Sequence, residues 1–211
     1  MKNLFVLIAM AILFSCSEHK SQTLTKSPGG TPMSDAKLET ATLGGGCFWC
    51  TEAVYQRLKG VKKVVSGYSG GFVDKPTYRQ VCEGNTGHAE VIQISFDPKE
   101  VSFAEILEVF WKTHDPTTLN RQGNDVGPQY RSAIFYHTEK QKSEAEESRR
   151  KAAGHFDRAI VTEITAFTQF FPAEDYHQNY YNQNGGQSYC AFVIRPKVEK
   201  FEKTFKDKLQ K

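Results

Sequence analysis

Two cysteines and two aromatic residues directly follow a run of three glycines, in the sequence Gly44-Gly45-Gly46-Cys47-Phe48-Trp49-Cys50. This spacing of thiols beside bulky rings predicts thiol redox chemistry on a substrate small enough for an aromatic pocket. If a helix begins after Cys47, its dipole and free backbone N–H groups favour the thiolate of that residue. Cys50 then lies one turn further on the same face, where the two sulfur atoms can form a disulfide with little movement of the chain.

The cysteine pair and its neighbouring rings also admit structural interpretations. Zinc ligation would need a second ligand pair, and only the loosely spaced Cys82 and His88 lie nearby, so we predict no metal site. Two inert buried thiols are the other alternative. Phe48 and Trp49 are equally consistent with core packing and with an apolar cup that excludes water and holds a methyl group.

A glutamate lies on the apolar side of a predicted strand. Side chains alternate over residues 90–96, which places the Glu90 carboxyl on the same side as Ile92. If that side is buried, desolvation raises the pKa of Glu90 and keeps it protonated as a general acid; a strand-end carboxylate that reaches solvent is the alternative. Tyr78 and Tyr130 adjoin turn-rich loops, where a phenol either donates to a ligand or simply packs with a satisfied hydroxyl.

Helices and strands are mixed along the folded part of the chain. Predicted strands span residues 40–43, 61–68, 90–96, 131–136, 159–166 and 189–194. Predicted helices span residues 48–58, 102–112, 138–153, 172–181 and 196–208, and residues 115–129 are expected to form a loop. This mixture predicts an α+β protein, most simply a two-layer α/β sandwich with helices packed on a sheet.

The first residues are typical of an export signal. Lys2 precedes an apolar run of about a dozen residues that ends at Ser15-Cys16 and is too short to span a membrane. The end of this run resembles the lipobox of bacterial lipoproteins, in which the cysteine is lipidated and becomes the new N-terminus. We therefore expect removal of residues 1–15, lipidation of Cys16, and a flexible tether over residues 16–38. An ordinary cleaved signal that contains a cysteine is the alternative.

Length and charge limit the remaining functions. The 211 residues suggest one domain plus extra segments, and residues 39–208 would form that domain. The formal charge of +3 is small, and the lysines are scattered or lie near the C-terminus. We therefore predict no nucleic-acid partner. From the N-terminal segment we expect an exported lipoprotein, anchored to a membrane on the periplasmic or outer-membrane side.

Several rare sequence blocks occur together in one order along the chain. The blocks are GCFW at 46–49, GYSGG at 67–71, PTY at 76–78, TGHAE at 86–90, FW at 110–111, HDPT at 114–117, QGNDVG at 122–127, QYRS at 129–132 and AEDYHQ at 173–178. With these blocks the chain resembles the type A peptide methionine sulfoxide reductases from about Thr40 to Phe205. The resemblance implies a ferredoxin-like two-layer fold and reduction of the S epimer of methionine sulfoxide, free or in oxidised proteins. It also implies that no cofactor is bound, and that an external dithiol, thioredoxin or a thioredoxin-like protein, restores the enzyme. A monomer is expected.

The resemblance also implies a role for each candidate residue. These roles are Cys47 as nucleophile, Phe48 and Trp49 as the pocket for the substrate methyl group, Glu90 as the acid, Tyr78 and Tyr130 as donors to the sulfoxide oxygen, and Asp125 as an acidic residue near the site.

A second thiol must resolve the sulfenic acid that would form on Cys47. Some relatives have glycine in place of Cys50 and resolve through cysteines in a glycine-rich C-terminal tail, but residues 203–211 here contain neither residue type. Cys50 is therefore the first candidate. Cys190 and Cys82 follow, although both fall in predicted secondary structure, where we expect inert burial.

Two rival functions are left open by the residues themselves. A disulfide oxidoreductase of the thioredoxin type would use the cysteine pair but gives no role to Glu90 or to the two tyrosines. A lipid-anchored metal-binding or adhesion module would instead use Cys47 and Cys50 as ligands.

Overall fold

The computed structural model describes residues 37–210, which form an α+β fold around one six-stranded sheet. The expected signal peptide, the lipidation site at Cys16 and the tether up to Ala36 lie outside the described residues. Within residues 37–210 we find no helix with the length and apolar character needed to cross a membrane.

Strands and short helices alternate along the described chain. The strands are Glu39–Gly45 (β1), Val61–Ser69 (β2), Ala89–Phe96 (β3), Arg121–Gln122 (β4), Asp125–Val126 (β5), Ser132–Tyr136 (β6), Glu163–Ala166 (β7) and Phe170–Pro172 (β8). The helices are Phe48–Tyr55 (α1), Tyr78–Cys82 (α2), Phe103–Thr113 (α3), Glu139–Ala153 (α4), Tyr180–Asn184 (α5) and Arg195–Thr204 (α6). Three 3-10 turns, Pro128–Tyr130, Asp175–His177 and Lys206–Lys208, and a π-helical turn, Cys190–Ile194, complete the backbone.

The sheet has the strand order β7-β6-β1-β3-β2-β8, and β4 with β5 forms a separate small hairpin. All neighbouring strands of the main sheet are antiparallel except β6 and β7, which are parallel. Leu43 pairs with Ile92, and Tyr68 pairs with Glu90. Because β1 and β3 run in opposite directions, the end of β1 lies beside the start of β3. This register brings Glu90 close to the turn that follows β1.

The two faces of the sheet are covered differently. One face presents side chains such as Leu43 and Ile94 to a large core that also contains the buried sides of α1, α3, α4 and α6. The other face carries a small cluster in which Val91 and Phe135 are covered by Phe167 and Phe170. Most of the buried apolar area therefore lies between the sheet and the helices, where burial stabilises at roughly 25 cal/mol per Å².

Local signals correctly located two helix starts. The Ser102 side chain accepts from the Glu105 backbone N–H at 3.2 Å, and the Glu105 carboxylate accepts from the Ser102 N–H at 2.9 Å. Thr138 caps α4 by accepting from the Gln141 N–H at 3.1 Å. These side chains satisfy backbone donors that have no partner inside the helix, as the sequence predicted.

The prediction of a strand at residues 189–194 is wrong. The segment is helical and continues through the π-helical turn into α6. A strand would place Phe192 on the same side as Cys190 and Ile194, yet Phe192 is 81% exposed while the other two are fully buried. The buried residues instead recur at helical spacing, from Cys190 through Ile194 to Val198.

The predicted helix at residues 172–181 is also wrong in most of its length. It is replaced by strand β8, a 3-10 turn and the start of α5. Asn179 has a φ of 52°, a left-handed conformation that interrupts any continuous helix. Smaller differences are that the strand predicted from residue 159 begins only at Glu163, and that the loop predicted at 115–129 contains the hairpin of β4 and β5.

Candidate active site

A glycine turn delivers Cys47 to the start of α1. Gly46 has a φ of 91°, and a Cβ added there would lie 2.6 Å from the Gln122 side chain. Gln122 is buried, and its amide is satisfied by two hydrogen bonds with the backbone of Asp115, at 3.1 and 3.0 Å. Any side chain at Gly46 would thus be strained and would displace this amide. The prediction that Cys47 lies at a strand-to-helix turn is confirmed, since it is the residue that caps α1.

The two cysteines share one buried environment. Only 5% of Cys47 and 2% of Cys50 is exposed, and both are free thiols. Burial raises the pKa of Cys47 well above its ordinary value, and the hydrogen bond and charge of Cys50 raise it further. The hydrogen bond from Cys47 lowers the pKa of Cys50 to about 7. Desolvation thus opposes the effect of the helix terminus on the Cys47 thiol, and the prediction of a Cys47 thiolate stays a prediction.

Glu90 is a buried carboxyl that bonds to the first residue of α1. The Phe48 backbone N–H donates to Glu90 Oε2 at 3.0 Å, and only 1% of Glu90 is exposed. Desolvation raises the pKa of Glu90 to about 8, and the charges of Asp125 and Cys50 act in the same direction. The residue lies on the main core side of β3, so the interpretation of a neutral acid is favoured over a solvated carboxylate.

Tyr78 is held near Glu90 by a carboxylate from the C-terminal part of the chain. It is the first residue of α2, which Thr77 caps, and its backbone N–H donates to Glu174 Oε1 at 2.9 Å. Burial raises the pKa of the Tyr78 hydroxyl, and the charge of Glu90 adds to this effect. Tyr78 therefore remains a protonated donor.

Tyr130 reaches the same region from another loop. Its 3-10 turn is tied down by Arg131, whose guanidinium donates to Pro128 O at 3.1 Å and Gly87 O at 3.1 Å and pairs with Glu163 at 2.9 Å. Burial raises the pKa of Tyr130, and the next contributions come from Glu90 and Cys47. The structure thus places both tyrosines near Glu90, and Tyr130 near Cys47 as well.

Asp125 lies at the edge of the thiol pair and is partnered by a tyrosine that sequence reasoning missed. The Tyr189 hydroxyl donates to Asp125 Oδ2 at 2.7 Å and lies 3.9 Å from Cys50 Sγ. Tyr189 was hidden by the wrong strand prediction for residues 189–194. Its position directly before Cys190 was the available signal.

Phe48 and Trp49 form an aromatic group with different exposures. Phe48 is buried, 5.9 Å from the Tyr68 ring and 6.4 Å from the Tyr78 ring, while Trp49 is half-buried. The indole of Trp49 stacks on Tyr180 at 3.8 Å with an interplanar angle of 8°. Phe48 therefore packs in the core, whereas the half-buried Trp49 is available to a ligand.

Three further residues on which sequence reasoning was silent support this aromatic group. Two of them, Glu174 and His177, come from the AEDYHQ block at 173–178. The third is Glu52 from α1, which accepts from the backbone N–H groups of Asn179 and Tyr180 at 2.9 and 3.3 Å. Glu52 is 1% exposed, and burial raises its pKa. A charged residue in an otherwise apolar helix was the signal for it.

The remaining cysteines differ from expectation in one case. Cys190 is fully buried, and burial together with the charge of Cys50 raises its pKa, so it lies near the thiol pair. Cys82 is exposed on α2, which corrects the expectation of inert burial.

Both ring nitrogens of His88, the other residue considered for zinc, form hydrogen bonds to the backbone. Nδ1 accepts from Gly71 N–H at 3.1 Å, and Nε2 donates to Val73 O at 2.8 Å. Residues 37–210 contain no group of three or more metal-ligating side chains.

A buried thiol pair, a buried carboxyl with a raised pKa and a group of aromatic rings on an α+β scaffold are typical of a cysteine-based redox enzyme. Residues 39–209 match the family model of the peptide methionine sulfoxide reductases. The chain belongs to this family and is an oxidoreductase. This membership favours the reductase over the two rival functions.

Individual relatives agree with this assignment. The peptide methionine sulfoxide reductase MsrA of Leptospira borgpetersenii is 60% identical over 167 residues, which cover 79% of this chain and 95% of the relative. Reduced Mxr1 from Saccharomyces cerevisiae superposes with a TM-score of 0.69 at 35% identity, over 74% of this chain and 91% of that one. Mxr1 in complex with Trx2 superposes with a TM-score of 0.50 at 27% identity, over 70% of this chain and 87% of that one.

The raised pKa of Glu90 predicts a specific pH dependence of stability. Between the ordinary carboxyl value of 4.5 and about 8, the folded protein holds a proton that the unfolded chain releases. The contribution of Glu90 to the free energy of unfolding therefore falls as pH rises through this window. We expect E90Q to gain stability relative to the wild type between about pH 5 and about pH 9, measured by urea unfolding.

The matched control is E199Q, which changes an exposed glutamate on α6. It should show no comparable gain. A constant stability difference between E90Q and the wild type across this pH range would contradict a protonated Glu90.

Proposed function

We propose that this protein reduces the S epimer of methionine sulfoxide, free or in oxidised proteins, to methionine. The observation that carries the proposal is the juxtaposition of Cys47 and buried Glu90, joined through the Phe48 backbone N–H, together with the raised pKa of Glu90. A sulfoxide sulfur is a poor electrophile until its oxygen is protonated or strongly hydrogen-bonded. A neutral carboxylic acid and two phenols beside a thiol meet that requirement.

In the first step the Cys47 sulfur attacks the sulfoxide sulfur, and its thiol proton passes to the Glu90 carboxylate that remains once Glu90 has protonated the sulfoxide oxygen. Glu90 donates a proton to the sulfoxide oxygen, while Tyr78 and Tyr130 donate hydrogen bonds to it. The substrate methyl group lies against Phe48 and Trp49. The S–O bond breaks, the oxygen passes to Cys47, and methionine leaves a sulfenic acid on that residue.

In the second step the thiol of Cys50 attacks the sulfenic sulfur, and water leaves as the disulfide forms. Cys50 is supported as the resolving residue by its place one turn along α1 and by a pKa lowered to about 7, which provides thiolate near neutral pH. Cys190, buried near Cys50, is the second candidate, and Cys82 is the third.

An external dithiol then reduces the disulfide, and no bound cofactor takes part. A reductant of the thioredoxin type is supported by the similarity to Mxr1, whose structure with Trx2 is known. We also infer a ferredoxin-like two-layer core. The order β6-β1-β3-β2, with α1 between β1 and β2 and α3 between β3 and β6, supports this topology.

We expect the purified protein with dithiothreitol to consume only the S epimer of a peptide methionine sulfoxide, separated by chromatography. Cys47→Ser should abolish turnover, since a hydroxyl in this site cannot replace the thiolate as nucleophile. An unchanged melting temperature would show that the variant is folded. Equal consumption of both epimers, or none by the wild type, would contradict the proposal.

Resolution by Cys50 is tested in a single turnover without dithiothreitol. Cys50→Ser should retain a sulfenic acid on Cys47, which dimedone traps for mass spectrometry, because its resolving thiol is absent. Cys190→Ser is the matched comparison and should form the same disulfide as the wild type. A rapid disulfide between Cys47 and Cys190 or Cys82 in Cys50→Ser would assign resolution to that cysteine instead.

We further propose that the full chain is exported and anchored to a membrane through lipidated Cys16, with the catalytic domain on the periplasmic or outer-membrane side. The apolar run and the lipobox-like ending at Cys16 support this. In cells given labelled palmitate, the wild type should carry the label in the membrane fraction and Cys16→Ser should not. Equal labelling of the two chains would contradict the anchor.

A further inference from the structure

Arg131 is a largely buried cation that joins two of the rare sequence blocks and has no role in the proposed mechanism. It belongs to the QYRS block, and its guanidinium donates to the backbone oxygen of Gly87 in the TGHAE block at 3.1 Å. It also donates to Pro128 O at 3.1 Å and pairs with Glu163 at 2.9 Å. Only 15% of the Arg131 side chain is exposed. Because a buried guanidinium needs acceptors for its donors, these contacts hold it in one orientation.

The GYSGG block packs against the same guanidinium. Gly70 has a φ of 80°, and a Cβ added there would lie 3.0 Å from Arg131 Nη2 and 2.6 Å from the Phe135 ring. The turn after β2 can therefore come this close only with glycine at position 70. The next residue, Gly71, donates its backbone N–H to His88 of the TGHAE block at 3.1 Å. Three of the rare blocks thus meet around Arg131.

The Arg131 side chain lies on the side of the sheet opposite to the reacting groups. Its backbone is extended, so the side chain alternates with that of Ser132 and shares a side with Ala133. Ala133 belongs to the small cluster on the second face, whereas Tyr130 packs against the main core. Arg131 is therefore placed away from a sulfoxide bound at Cys47, and its effect on the reaction must pass through the backbone that it holds.

We propose that Arg131 is a positioning residue, which fixes the turn that carries Tyr130 to the turn that precedes Glu90. The inference rests on the proposed function, in which both side chains act on the sulfoxide oxygen. Glu90 lies in β3, which is paired on both sides, with β1 and with β2. Tyr130 lies in a turn of three residues, and its backbone N–H donates within that segment, to Gly127 O at 3.0 Å. The Tyr130 turn is thus the part whose place depends on further contacts.

The guanidinium spans the two turns with separate N–H groups. Nη1 bonds to Pro128, at the start of the Tyr130 turn, and Nη2 bonds to Gly87, three positions before Glu90. Nε pairs with Glu163, which supplies the opposite charge. A lysine ammonium carries the same charge but is not a planar fork, so it cannot meet the three acceptors in these directions. The geometry of the donors, more than the charge, therefore holds the two turns together.

Loss of this connection should slow the first chemical step more than it weakens substrate binding. The hydrogen bond from Tyr130 strengthens as the S–O bond breaks and charge develops on the oxygen, so a misplaced phenol costs more in the transition state than in the bound state. The step is measured as methionine formed in a single turnover without dithiothreitol, because recycling of the disulfide does not then limit the rate. We expect R131M to lower the maximal rate about tenfold and to change the half-saturating concentration of the S sulfoxide by less than about threefold.

Two further variants separate the donor geometry from the charge. R131K keeps the cation beside Glu163 but should still lower the rate at least about fivefold, and it carries the test if R131M does not fold. E163Q, whose amide oxygen still accepts from Nε, should stay within about threefold of the wild type. R150M, at an exposed position on α4, is the control and should change neither parameter.

A double-mutant cycle shows whether Arg131 acts through Tyr130. Y130F removes the phenol donor and should itself lower the rate about tenfold. Adding R131K to Y130F should lower the rate further by less than about twofold, because the donor that Arg131 positions is already absent. Equal effects of R131K in the two backgrounds would overturn the inference, and so would an R131K variant as active as the wild type.

Hydrogen exchange followed by NMR tests the same contact without turnover. In R131K the Tyr130 amide should exchange at least about tenfold faster than in the wild type, while amides in the middle of β3 should change less than about twofold. This difference separates a local loosening of the turn from a general loss of stability. Equal acceleration of both, or of neither, would overturn the inference. A wild type that fails to reduce sulfoxides would count against the proposed function alone, since exchange still decides whether Arg131 holds the turn.

Discussion

The hydrogen bond from the Phe48 backbone N–H to Glu90 Oε2, 3.0 Å long, is the interaction on which the site depends. It joins the start of α1 to β3 and uses a backbone donor that the helix itself cannot satisfy. A protonated carboxyl still has an O–H to donate, so Glu90 can hold the helix and also supply a proton. Cys47 immediately precedes Phe48, and this one contact therefore sets the distance between nucleophile and acid.

Desolvation acts on both reacting groups in the same sense. It raises the pKa of Glu90 to about 8 and raises the pKa of the Cys47 thiol, so both groups favour their protonated forms. The overall reaction needs two protons, since the sulfoxide oxygen leaves as water while two thiols become a disulfide. A buried site that holds protons is therefore suited to this reaction, whereas a permanently ionised Cys47 beside an ionised Glu90 would suffer like-charge repulsion.

Much of the site was predictable because its signals are local. The alternation of residues 90–96 placed Glu90 on the core side of its strand, and the glycine run followed by Cys47 indicated a strand-to-helix turn. The C-terminal part was not predictable in the same way. Residues 172–194 contain short turns, a left-handed Asn179 and a run at 189–194 that was predicted as a strand, although tertiary packing makes it helical.

Contacts between distant parts of the chain account for the rest of what the sequence did not predict. Tyr189 and Asp125 are separated by 64 positions, and Trp49 and His177 by 128, so no local pattern joins them.

The central claim is that Glu90 is a neutral acid beside a buried thiol. Side-chain ¹³C NMR titration of Glu90, assigned with E90Q, measures this directly. The account predicts a protonated carboxyl at neutral pH with a midpoint of about 8, and a midpoint near the ordinary value of 4.5 would contradict it.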